Sequence, residues 1–383
     1  MAEGGVGVMV MQEMKRIFTS NEGIVLTFIF TLIFIITNLV MVDFAGVQAL
    51  ITGQGQTPFF ILIFIVILAY LFKNSKVDLK GGRFLFLIIW NLYVLSIFIS
   101  MIVNKDFVWT EALVLVILSV MFLFRVPGEL LTIMVVSALI SLPALLLQLI
   151  LLNETGATFV LIYTAGLMFL PRHNKAMSYY SLPAFLLLLL ITHSRTAIAV
   201  FVVVTIIQLS FINLYRREKK HQKNFLLTLL VSGLIPLIIF FHPLFGFFTI
   251  GGLGSEGIDW NQVTKGRYEP WMHVVDNMSW FGEGRDYIDF TSLLHVHNIF
   301  FDTLGRYGII TTVLFTVLVI GALIIALMSV RTFHLALYIF TFILIGMTEY
   351  NYLFMFVYFS PVILLFVIVS HLIDESRIME KIE

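Results

Sequence analysis

FLFLIIWNLYVLSIFISMIV, residues 84–103, runs for twenty positions without a charge. As a helix it rises about 30 Å, the thickness of a bilayer's hydrocarbon core. Similar apolar runs lie near 24–42, 57–72, 107–124, 130–152, 157–170, 178–192, 196–215, 225–242, 309–328, 333–347 and 350–371, twelve in all. The composition agrees: of 383 residues, 60% are hydrophobic and 12% charged, with a mean hydropathy of +1.02. A soluble domain carries roughly 25% charged residues, and soluble cores stop growing near ~250–300 residues. The chain therefore reads as an all-α polytopic membrane protein with about twelve transmembrane helices. Its net charge is zero and it has no Cys. That excludes a basic nucleic-acid binder, disulfide frameworks, thiol catalysis and Cys-ligated zinc.

Lys and Arg accumulate in cytoplasmic loops, which orients the spans. With the N-terminus inside, 17 of the 23 Lys and Arg residues fall in inside loops or tails, including the run from Arg216 to Lys223. Six fall outside: Lys105, Arg195, Lys265, Arg267, Arg285 and Arg306. Both termini are then cytoplasmic. The first run lacks a small-residue cleavage site and reads as a signal anchor. The chain divides into a bundle at 1–242, one large structured extracytoplasmic loop at 243–298, and a second bundle at 299–383. The loop holds three of the five tryptophans, Trp260, Trp271 and Trp280. Long structured loops in compact proteins are usually functional.

Arginine on the outer face runs against the topology rule. Its planar fork binds phosphate oxygens and keeps its proton, so a cluster there points to a bound anion. Arg195 opens a span within Thr192-His193-Ser194-Arg195-Thr196-Ala197, where helix N–H groups add to the positive field. Arg267 precedes Pro270, which suits a first helical turn. Trp271, Val274 and Met278 follow at helical spacing. The same stretch also suits a surface helix lying on lipid with Arg267 as its anchor. His295 and His297 alternate just before Asn298, and an imidazole is the usual general base. No acid sits at a metal-ligand offset, so no metal is expected. Asp302 and Arg306 are spaced to pair on one helix face. Gly252-Leu253-Gly254-Ser255-Glu256-Gly257 matches a nucleotide-loop pattern, but no strand precedes it; it reads as a hinge or turn. The tryptophans are candidates for stacking on sugar faces, or for an interfacial belt.

Three stretches line up in order. Ser194-Arg195-Thr196-Ala197 opens a span. Arg267 and Trp271 precede Trp280-Phe281-Gly282-Glu283-Gly284. His297-Asn298 then leads to Gly305-Arg306-Tyr307-Gly308-Ile309-Ile310. The series resembles the O-antigen polymerase and O-antigen ligase family (Wzy-like and WaaL-like membrane proteins) over roughly 192–310. The resemblance implies a GT-C type glycosyltransferase of the bacterial cytoplasmic membrane. It would act on glycans carried by undecaprenyl pyrophosphate, with no cofactor and no nucleic acid. Membrane lipids, a flippase and a chain-length regulator would be its further partners. It also implies roles: Arg195 and Arg267 at the pyrophosphate, His297 as catalytic residue, and Arg285, Arg306 and His295 as auxiliaries. A repeat-unit polymerase is the first expectation. A ligase to another acceptor and a lipid-linked glycan transporter are the alternatives.

Overall fold

Apolar residues on every side of a helix leave hydrocarbon as its natural surroundings, and α3 (Gly82–Val103) is such a helix. One face buries Phe86, Trp90, Tyr93, Ile97 and Met101; the other exposes Leu85, Ile88, Leu92, Leu95, Ile99 and Ile102. It is one of two described helices long and apolar enough to cross a membrane; α10 (Ile299–Leu327) is the other. The computed structural model describes residues 19–39, 56–77, 79, 81–152, 156–167, 181–187, 195–215, 253–254, 257–258, 261, 266–288, 296–328, 332–347 and 364–373.

The described chain is mostly helical. The helices are α1 (Asn21–Leu39), α2 (Gln56–Asn74), α3, α4 (Trp109–Met121), α5 (Gly128–Ile140), α6 (Leu142–Leu152), α7 (Gly156–Leu167), α8 (Arg195–Tyr215), α9 (Tyr268–Asp276), α10, α11 (Phe333–Gly346) and α12 (Leu364–Ile373). Residues 181–187 are also helical. The apolar run at 225–242 lies outside the described residues. Within the stretch expected to be a hinge or turn, Leu253 and Gly254 pair antiparallel with Ile258 and Gly257; residues 252, 255 and 256 lie outside the described residues.

Two differences from the expected spans have local causes. The run at 130–152 breaks at Ser141 into α5 and α6. Pro143, which has no N–H to give to the preceding turn, sits in the first turn of α6. The span expected from 309 matches the part of α10 beyond its non-helical Gly308, and a further helical stretch precedes it from Ile299, capped by Asn298. The Asn298 side chain accepts from the N–H groups of Phe300 and Phe301 at 2.9 and 3.2 Å, which satisfies two of the unpaired donors at a helix start.

All of these helices except α9 share one apolar core. α10 packs between α3 and α11, α11 also meets α7 and α8, and α1 lies on α5 and α6. Arg83, expected only as a cytoplasmic-loop cation, is a fully buried strut. It donates to the Phe122 carbonyl at 3.2 and 3.0 Å, to the Phe124 carbonyl, and to Ser370 Oγ at 3.1 Å. The negative end of the α4 dipole thereby receives a charge of the right sign, and α3, α4 and α12 are tied together at that end.

Candidate functional site

At the opposite end of α3, segments distant in sequence converge. Gly266 turns the chain with φ +80°, and Arg267 occupies the cap position of α9. Arg267 is half-buried, and its carbonyl accepts from the Trp271 N–H at 3.1 Å. Pro270 lies in the first turn, as its missing N–H favours. Val274 is buried, but Met278 lies beyond the helix and is exposed. Asn277 ends α9 first, donating its side-chain N–H to the His273 carbonyl at 2.9 Å.

Trp271 is half-buried, with one face of its ring and its N–H engaged within the protein. Its indole stacks on Phe301 at 5.6 Å and 27°, and its Nε1 donates to the Val296 carbonyl at 2.7 Å. Val274, Tyr287, Ile288 and Val296 complete a small core of their own. Trp271 lies one turn after Arg267, and Val296 directly precedes His297, so one hydrogen bond spans the two elements. Trp271→Phe keeps an aromatic ring but deletes the donor and part of the indole that packs on Phe301. It is expected to cost about 1 kcal/mol, read as a fall in thermal midpoint in detergent.

His297 takes φ +53°, a left-handed conformation uncommon outside glycine. The surroundings hold it there: Val296 is fixed by Trp271 on one side. On the other, Asn298 caps α10 and donates to the Met347 carbonyl at the end of α11, at 2.9 Å. Strained backbone of this kind persists where neighbours over-determine it, and clusters at functional sites. Close by, Tyr287 donates to the Asp302 carboxylate, which is buried. Burial first, and the Asp302 charge second, push the Tyr287 phenol well above its ordinary range, so it remains a donor at working pH.

The two glycine stretches meet backbone to backbone. α10 breaks at Gly308, with φ 87° and ψ −177°. Into the break fits the segment from Ser279 to Glu283: the Ile309 N–H donates to the Ser279 carbonyl at 2.9 Å, and the Glu283 N–H to the Gly305 carbonyl at 2.8 Å. The Phe281 carbonyl accepts from Ser100 Oγ at 2.6 Å and Asn104 Nδ2 at 3.0 Å, both from the end of α3. A Cβ on Gly284 would lie 3.1 Å from the Asn104 Cβ, a few tenths of an ångström inside the usual disulfide separation, and at φ 75° it would carry some backbone strain. The chain has no Cys. An Asn104→Cys/Gly284→Cys pair is therefore expected to cross-link on oxidation, seen as a reducible mobility shift after proteolysis between the two positions.

Arg285 and Arg306 come together on acids. Arg306 Nη2 lies 2.8 Å from Glu111 Oε1, and Arg285 Nη2 lies 3.7 Å from the same oxygen. The Tyr307 hydroxyl donates to Glu111 Oε2 at 2.9 Å. Arg285 also faces Asp106, with Nε at 3.4 Å from Oδ1 and its backbone N–H at 3.1 Å from Oδ2. Asp106 and Glu111, from the α3–α4 connection and the start of α4, were not among the expected site residues. No local pattern marks them, because their partners are 174 to 196 positions away.

Other expected residues are less engaged or fall elsewhere. Arg195 begins α8, and its side chain lies outside the described residues, as do His295 and Trp260. Trp280 is 65% exposed. Comparison with protein-family models and with curated proteins finds no match.

Proposed function

We propose that this protein is a membrane glycosyltransferase that joins undecaprenyl-pyrophosphate-linked oligosaccharide repeat units into a surface polysaccharide. In this reading it spans the bacterial cytoplasmic membrane about twelve times with both termini inside, and 243–298 faces out. The observation that carries the reading is the 2.7 Å bond from Trp271 Nε1 to the Val296 carbonyl. It joins the element bearing Arg267 to the turn bearing His297, two of the three sequence elements on which the resemblance rests.

The chemistry follows from the residue types. An acceptor hydroxyl attacks the anomeric carbon of the donor sugar, and the bond from that carbon to the pyrophosphate oxygen breaks. The hydroxyl proton passes to His297 as general base. Negative charge develops on the departing lipid pyrophosphate, where Arg195 and Arg267 stabilise it with fixed donors. A ligase would use the same donor and differ in acceptor.

A second reading, transport of the lipid-linked glycan, draws on two specific features. α10 is broken at Gly308, and Glu111 is a carboxylate buried among helices. Both are common in transporters. The deciding experiment incubates purified protein with synthetic lipid-linked repeat units, without nucleotide and with excess chelator. A ladder of products with released lipid pyrophosphate is expected, and it should disappear in Arg195→Ala and Arg267→Ala. Binding without turnover would favour transport instead.

A further inference from the structure

Glu111 is 5% exposed and gathers two guanidinium groups, yet it holds them unequally. Arg306 makes a direct charge-assisted bond at 2.8 Å, and its side chain is 14% exposed. Its guanidinium carbon also lies 5.1 Å from the Tyr307 ring centre. Arg306 is thus committed to the interior. Arg285 approaches Glu111 and Asp106 only to 3.7 and 3.4 Å, and its side chain is 51% exposed. These separations are long for hydrogen bonds. They fix the group by charge and leave its donors largely unspent, out of five that a guanidinium offers. The backbone beneath is rigid: Asp106 accepts from the Arg285 N–H, and Gly284 packs against Asn104.

We infer that Glu111 is a positioning residue that holds the Arg285 guanidinium ready for the lipid-linked pyrophosphate, with Arg306 as its buried counter-ion. The inference rests on the polymerase reading and deepens it, since it separates two arginines that looked equivalent in the sequence. Two carboxylates and two guanidinium groups sum to zero charge. An anion is therefore attracted here by directed donors rather than by net charge. A diphosphate oxygen pair matches one guanidinium edge in bidentate fashion, and the carboxylates remain behind the guanidinium.

The test measures binding of inorganic pyrophosphate and of undecaprenyl pyrophosphate to the full-length protein in detergent by titration calorimetry. Glu111→Gln/Arg306→Gln removes the carboxylate together with its buried counter-ion, and the buried Asp302 keeps its hydrogen bond from Tyr287. The double variant is expected to melt near the wild-type temperature and to bind both probes about tenfold more weakly. Its donor KM should rise more than its kcat falls. Arg285→Ala should lose as much, and combining it with the double variant should add nothing. If the double variant does not accumulate, Glu111→Asp makes the same test. It keeps a negative charge inside to balance Arg306 but draws the carboxylate back by one methylene from the already distant Arg285, and should weaken binding without unfolding. Wild-type affinity, or tighter binding, in whichever of these variants is measured would overturn the role of Glu111 and leave the polymerase reading standing. Failure of the wild-type protein to bind either probe would overturn both.

Discussion

Gly308→Ala is expected to dislodge the segment from Ser279 to Glu283 from α10 and to lower stability by about 3 kcal/mol. Two costs combine. With φ 87° and ψ −177°, Gly308 occupies a region open essentially to glycine alone. A Cβ there would also lie 2.4 Å from Gly282 N and from the Trp280 carbonyl oxygen. Both obstacles are backbone atoms, so no side chain can rotate out of the way. Relief requires parting the segment from the helix, with loss of the Ile309–Ser279 and Glu283–Gly305 bonds. Gly282→Ala meets the Arg306 backbone at 2.5 Å and should behave alike. Gly321 supplies the control on the same helix, because a Cβ there meets nothing within 4 Å. Gly321→Ala should be neutral or stabilising by up to ~1 kcal/mol. Thermal unfolding in detergent reads all three, and a Gly308→Ala protein melting like Gly321→Ala would show that the break does not depend on this packing.

His297→Asn should slow repeat-unit joining by about 10²–10⁴-fold while leaving the fold intact, the usual range for losing a general base. Asparagine is the informative replacement. The position has φ +53°, and Asn tolerates left-handed backbone better than Ala does. Lost activity in His297→Asn then reports the missing imidazole rather than a shifted turn. Product ladders from lipid-linked repeat units give the rate, and the melting temperature gives the fold. Near-normal joining would remove His297 from the chemistry and return attention to His295. Loss of melting temperature with loss of rate would instead assign His297 to the turn alone.

Much of the architecture is readable along the chain. The apolar runs coincide with α1 to α4, α7, α8 and α11, because hydropathy and helical spacing act between near neighbours. The first turn of α9 at Pro270 is equally local, since it depends on the missing donor of one residue. Even the exceptions carry local marks, Pro143 where 130–152 divides and Asn298 where the helical stretch ahead of Gly308 starts.

The site divides along a different line. Arg267, Trp271, His297, Arg285 and Arg306 were visible as chemical types, but their partners were not. Trp271 stands out in the sequence as a large aromatic, but nothing near it in the chain shows that its ring packs on Phe301 and its N–H bonds Val296. Arg83 reads as a loop cation until it is found bonded to the carbonyls that end α4. Arg285 and Arg306 look alike until Glu111 binds one directly and the other at a distance. A chain of helices states how each segment satisfies its own backbone. Which buried charge meets which carboxylate, 195 residues away for Arg306 and Glu111, follows only from the order in which the helices pack, since that order decides which polar groups lose water together.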